Sequence, residues 1–134
     1  RGIVDFCHQW KPTRDSAAPL NNPVPREAVT SINRQIAELA PVLNSPPVDD
    51  TGVKIVSTDN DTRIAAMRRK HGEAVFVFAA AMGDTETTAS FTLGESQGTA
   101  TATVLGEGRT IDVERGKFKD HFRGYDVHLY RISR

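Results

Sequence analysis

Cysteine is almost absent. Cys7 is the only one in 134 residues, so no disulfide can form within the chain and a cysteine-rich zinc site is excluded. Charge of one sign is not in surplus either: Lys and Arg number 17, and Asp and Glu number 17. Cutting the chain at residue 50 uncovers no basic or acidic half. A nucleic-acid binder normally carries a basic excess, so the sequence argues against that partner. No apolar run approaches the roughly 20 residues of a membrane-spanning helix, so no membrane partner is expected. Aromatic residues are scarce at 7%, and Trp10 is the only tryptophan. What remains is ordinary for a chain with a core, with 38% hydrophobic and 25% charged residues. The length suits one domain, or one domain with an appendage.

Proline and glycine divide the chain. No proline follows Pro47, and no glycine lies between Gly2 and Gly52. Residues 1–25 read as a remnant strand and a Pro-rich loop, residues 26–47 as an amphipathic helix and linker, and residues 48–134 as an antiparallel β-sandwich. The chain opens on Arg1, and Arg1–Trp10 lacks the charged, apolar and small-residue sections of a signal peptide. It reads as the end of a buried strand, so a piece of a longer protein is expected.

In the middle part, Val29, Ile32, Ile36, Leu39 and Leu43 recur at helical spacing and form one apolar face. Asn21, Asn22 or a near neighbour should cap the helix, with Pro25 in its first turn. Pro41 should end or kink it near Leu39. The stripe needs cover, which predicts either docking on the sheet or self-association through residues 26–43.

After Gly52, glycines fall mostly at intervals suited to short antiparallel strands. Eight are expected: 53–57, 62–70, 74–82, 87–93, 99–105, 110–114, 117–123 and 127–133. Ala74–Met82 is the most apolar and should be a central strand covered on both faces. No stretch between strands can hold a helical crossover, so the sheet should be antiparallel. The fold class is therefore mainly β, a two-sheet sandwich of about eight strands with one N-terminal helix.

Several residue groups invite a chemical reading. Gly94–Gly98 spells G-x-S-x-G around Ser96, but a nucleophile elbow needs a strand before it and a helix after it, and a strand is expected next. Glu107 with Asp112, or Asp84 with Glu86, would make a carboxylate pair, but each lies in or beside an expected turn with no desolvating aromatic near it. His121 and His128 with Asp120 and Asp126 match no zinc spacing. His128 shares a strand face with Tyr130 and Ile132, which reads as packing or a hydrogen bond to a neighbouring loop. No catalytic residue, metal ligand or cofactor is expected in this chain.

Three stretches together carry a resemblance: Ile32–Pro46; Val75–Ala80 followed by Ala89–Leu93; and Val104–Arg109, Phe118–Phe122 and Tyr125–Ile132. Their order resembles the C-terminal end of bacterial glycoside-hydrolase-like proteins, where a (β/α)8 barrel is followed by a small antiparallel β-sandwich. The resemblance covers roughly residues 26–133. It implies that Arg1–Trp10 corresponds to the last barrel strand and the 26–43 helix to the last barrel helix. The other barrel strands are absent, and with them the catalytic pair such a parent would carry. The implied role is a non-catalytic accessory domain that supports a missing catalytic barrel, its partner. The parent would be extracellular or periplasmic if it degrades polysaccharide. A carbohydrate-binding module is the alternative, with Trp10, Tyr125, Tyr130 and His8 as contacts to an oligosaccharide. An immunoglobulin-like spacer is a third.

Overall fold

The computed structural model describes residues 12, 14, 15, 17–46, 54–58, 62–94 and 98–133. The chain divides into two units, Arg1–Ala40 and Pro41–Arg134.

The first unit is helical. Asp15 Oδ1 accepts from the Ala17 N–H at 2.8 Å, and its Oδ2 accepts from Asn21 Nδ2 at 2.9 Å. These two bonds bracket a single helical turn, α1 (Ala18–Asn21), where the sequence predicts only loop. They also hold the Asp15 carboxyl below its usual pKa, the Asn21 bond first and the Ala17 N–H second. The second helix, α2 (Pro23–Leu43), starts where Asn22 Oδ1 accepts from the Val24 N–H at 3.1 Å. Pro23 and Pro25 fall in its first turn, where a missing N–H costs nothing. Along the apolar stripe, Val29, Ile36 and Leu39 are half-buried, while Ile32 is 53% exposed.

Pro41 does not end the helix at Leu39. The helix continues to Leu43, and the Ser45 N–H and hydroxyl both close onto the Val42 carbonyl at 3.1 and 2.6 Å. Pro41 withholds one N–H, but the end lies two residues on, so the disruption is small. The boundary between the two units falls at this proline.

The second unit is the sheet. Its strands are β1 (Lys54–Ser57), β2 (Ile64–His71), β3 (Ala74–Ala81), β4 (Thr87–Thr92), β5 (Thr99–Val104), β6 (Arg109–Glu114), β7 (Lys117–Phe122) and β8 (Val127–Ser133). All pairings are antiparallel. The eight expected strands are present, each within about two residues of its predicted bounds.

The strands form one sheet rather than two, in the order β1-β4-β7-β6-β5-β8-β3-β2. The physical reason lies between β6 and β7. Their two-residue turn, Arg115–Gly116, has both φ values positive, at 49° and 73°. Such a primed turn suits a tight hairpin. Yet only Glu114 and Lys117 pair before the strands part. The sheet doubles over at that junction, and its edge strands β1 and β2 approach without pairing. Arg68 of β2 reaches the Leu93 carbonyl beyond β4 at 3.3 Å. The result is a nearly closed, barrel-like sheet.

The enclosed core joins both halves. Phe91 and Phe118 are cross-strand partners and stack at 4.6 Å, nearly parallel at 7°. Tyr130 meets Phe118 edge-on at 5.0 Å, and Phe122 meets His128 at 4.5 Å. Strand β3 lies between β8 and β2, near one end of the sheet rather than at its centre, and is covered on its inner face and over part of its outer one. Val77, Ala79 and Ala81 enter the main core, whereas Ala74 and Phe76 pack with Val42 on the opposite face.

One glycine is required by a neighbour. A Cβ on Gly124, in the β7–β8 turn, would lie 2.2 Å from the Asp84 carbonyl oxygen. The adjoining Tyr125 N–H also donates to the Gly83 carbonyl at 2.9 Å. Backbone meets backbone here, so the clash has no flexible side chain to absorb it. Gly124→Ala is expected to destabilise the second unit by about 2 kcal/mol or more, read as a lower urea midpoint with an unchanged m-value.

Candidate functional site

Strand β7 alternates Lys117, Phe118, Lys119, Asp120, His121, Phe122. The odd positions face out and the even ones face in. Asp120 therefore points inward between two core phenylalanines, only 9% exposed. A carboxylate so placed needs partners inside the protein, and Asp120 has four bonds. Arg109 of β6 grips it with two parallel contacts at 2.9 and 2.8 Å. The Tyr130 hydroxyl donates to Oδ2 at 2.7 Å, and the His121 N–H donates to Oδ1 at 2.9 Å.

The network extends from there. Arg109 Nε donates to Glu107 Oε2 at 2.7 Å, in the β5–β6 turn. The other oxygen of Glu107 meets His128 Nδ1 at 2.5 Å. His128 Nε2 faces the His121 carbonyl at 3.2 Å. Both ring nitrogens thus face acceptors, one of them in a neighbouring loop.

The electrostatics follow from these contacts. Burial works to raise the Asp120 pKa, but Arg109, Tyr130 and the His121 N–H outweigh it, and the carboxyl lies below its usual range. Glu107 behaves alike: burial opposes ionisation, while the His128 and Arg109 bonds prevail and lower it. The Asp120 bonds raise Arg109 further. Burial first, and then Asp120, push the Tyr130 phenol up. These shifts fix a charged carboxylate and a neutral phenol. They do not produce a carboxylic acid protonated at neutral pH, as a general acid must be.

The residues singled out from sequence are distributed as follows. His8 and Trp10 lie outside the described residues, as does Ser96. Tyr130 is 0% exposed. Its ring is surrounded by Phe91, Phe118 and His128 and has no face for a sugar, which corrects its assignment as a contact residue. Tyr125 does present its ring: it is 70% exposed at the β7–β8 turn, with φ at +62°. Glu107 is bound into the network, while Asp112 faces outward on β6, so the two do not act as a pair. Asp84 and Glu86 are exposed, and Glu86 has His121 Nε2 at 3.8 Å. Gly98 is followed by strand β5 rather than a helix, which leaves the G-x-S-x-G match without its context. Among the described residues, no group of three or more His, Cys, Asp or Glu is arranged to hold a metal ion.

Sequence reasoning passed over Arg109 and did not join Asp120 to Tyr130. The signal was the phase of β7, which puts an acid in line with Phe118 and Phe122.

Two outcomes test the network. Tyr130→Phe removes one donor to a buried charge and should cost about 1.5–3 kcal/mol in urea denaturation. The acid limb should also respond. The folded pKa of Asp120 is depressed, so its contribution is whole above the ordinary carboxylate value, about pH 4. It is lost as pH falls through the folded value. Asp120→Asn should be less stable at neutral pH and show a flatter decline in acid.

No protein-family model matches the chain, and no curated protein matches it. Among solved structures it is similar to Gan42B, a GH42 beta-galactosidase from G. stearothermophilus. A catalytic mutant of that enzyme aligns at 12% identity with a TM-score of 0.42. Gan42B itself aligns at 14% with a TM-score of 0.40. Each alignment covers 82% of this chain, which spans only 13% of the other's length.

Proposed function

We propose that the chain is a non-catalytic accessory β domain of a carbohydrate-active protein, giving structural support to a catalytic barrel. One observation carries the non-catalytic part of this reading. The chain's concentrated polar network closes on itself, and its carboxylates are held ionised by internal partners. Such an arrangement holds strands together, and neither Asp120 nor Glu107 is free in it to protonate a leaving group. The link to a carbohydrate-active parent rests on the order of the three stretches that resemble the ends of bacterial glycoside-hydrolase-like proteins. The barrel as partner is supported by the stripe on α2, whose Val29, Ile36 and Leu39 are half-buried while Ile32 remains open. The same stripe would serve self-association of the chain on its own.

The reading is tested with the full chain and a panel of nitrophenyl glycosides. No turnover above buffer is expected. Hydrolysis that disappears in Glu107→Gln would overturn it. In a parent that includes the barrel, deleting residues 54–133 should lower the melting temperature and leave kcat unchanged.

A further inference from the structure

Strand β2 ends the sheet, and no strand is hydrogen-bonded to its outer edge. The Met82 N–H donates to the Arg63 carbonyl at 2.9 Å. In the β2–β3 register, that bond turns the backbone groups of odd positions toward β3 and those of Ala66, Arg68 and Lys70 outward. Strand β1, the other end of the sheet, begins at Lys54, opposite Thr92 of β4. Arg68 reaches the carbonyl of Leu93, one residue past that level. From there β2 runs on to His71 with no strand beside its edge among the described residues.

This free edge is basic: Arg68, Arg69 and Lys70 follow one another and His71 closes the run. The two arginines are unlike Arg109, whose Nε and both terminal nitrogens meet carboxylate oxygens. Arg68 Nη1 donates to the Leu93 carbonyl at 3.3 Å, and Arg69 Nη1 to the carbonyl of Arg68 itself at 3.3 Å. Both are long bonds to neutral acceptors. The Nε of each is buried and has no partner, and a buried N–H left unmatched is costly. Neither arginine is in an ion pair among the described residues. Strands β1 to β4 contain no Asp or Glu. Glu73, in the β2–β3 turn, is exposed and pairs with no cation among the described residues. The described part of the chain thus does not supply the negative charge that this edge lacks.

Backbone and side chains select the same kind of partner. Outward N–H and C=O groups on a sheet edge are met by an added strand, and a guanidinium fork is met by a carboxylate. The β2 edge of a second copy would set cations against cations. A small free anion would match the guanidinium groups but leave the edge backbone unpaired. Successive positions on a strand alternate between faces, so Arg68 and Arg69 stem from opposite faces of the sheet. Two successive acids on an added strand would lie one beside each. We propose that the edge of β2 at residues 68–71 takes up an extended acidic segment of a partner protein. The segment pairs with the outward backbone groups of Arg68 and Lys70 as a further strand, and its carboxylates accept from Arg68 and Arg69. This binding activity does not rest on the accessory role.

The test is an amide NMR titration of the full chain with a capped octapeptide, four successive glutamates flanked by valine and threonine, up to about 1 mM. The amides of 66–71 should shift, and those of Arg68 and Lys70 should gain protection from hydrogen exchange. Raising the salt from about 50 to about 500 mM should weaken binding by about tenfold or more. The same peptide with glutamine in place of each glutamate should bind about tenfold more weakly or worse. Arg68→Gln/Arg69→Gln should cause a similar loss while keeping a dispersed β spectrum. Should that variant fail to fold, Arg69→Gln alone, whose one bond is to its own strand, should weaken binding about threefold. Lys119→Gln on β7 should leave the titration unchanged. The proposal is overturned if the acidic peptide leaves 66–71 unshifted, or if the glutamine peptide binds as well. It is equally overturned if inorganic phosphate shifts these amides and the peptide does not. Binding that appears only in Asp49→Asn/Asp50→Asn, two acids outside the described residues, would also overturn it, because the chain would then be filling its own edge.

Discussion

A carboxylate that points into an aromatic core must be matched there, and the matching of Asp120 organises the barrel. Its partners come from three strands. Arg109 on β6 supplies two bonds, Tyr130 on β8 supplies a hydroxyl, and β7 supplies its own backbone N–H. Strands β7 and β8 lie on opposite sides of the fold in the doubled sheet, separated in hydrogen-bonded order by β6 and β5. The Tyr130–Asp120 bond therefore crosses the interior rather than running along the sheet. Removing any partner would leave charge or hydrogen-bonding capacity buried and unmatched, which costs more than the intact pair contributes.

The same region explains why the sheet can double over. Beyond the turn, β6 and β7 no longer share a backbone ladder, and the side chain of Arg109 takes over as the link between them. A guanidinium is well suited, because its planar fork matches a carboxylate and spans a wider gap than a peptide bond pair can. One end of the parting is thereby filled by the Arg109–Asp120 pair. At the other end the strands meet in the Glu114–Lys117 pair and the Arg115–Gly116 turn.

Much of this was legible in the sequence, and the failures have physical causes. Strand bounds were readable because glycines mark the turns and β3 is a long apolar run. That β3 packs apolar residues on both faces followed from its composition. Sheet closure was not readable, since it depends on how many pairs β6 and β7 make, and both hairpin and parting have the same alternation. The inside position of Tyr130 is not legible from the tyrosine alone, because a tyrosine with a bonded hydroxyl looks the same in sequence whether its ring is inside or outside. Its even-numbered company, His128 and Ile132, held the answer. The helix running past Pro41 was missed because proline's penalty depends on how many residues follow it, and only two did. The short turn α1 was missed because Asp15, whose two bonds bracket it, lies in a stretch with no periodicity to suggest a helix.

An ion network of this kind need not add net stability, since well-packed apolar residues of similar volume often do as well or better. Its contribution is better sought in register. Slipping β7 by one residue would turn Lys117, Lys119 and His121 inward and expel Phe118 and Phe122. Asp120 would then face away from both Arg109 and Tyr130. The Phe91–Phe118 stack would be lost in the same step, so the apolar and charged parts of the core reject the slip together. Because Glu107 and His128 extend the network to the β5–β6 turn and to β8, the penalty is shared by every strand that borders the parting. For a barrel whose hairpin β6–β7 has one backbone pair, side chains must specify what the ladder elsewhere specifies. Asp120 supplies that specification: it is the one inward position on β7 that a phenylalanine could not fill without taking from Arg109 its two-point partner.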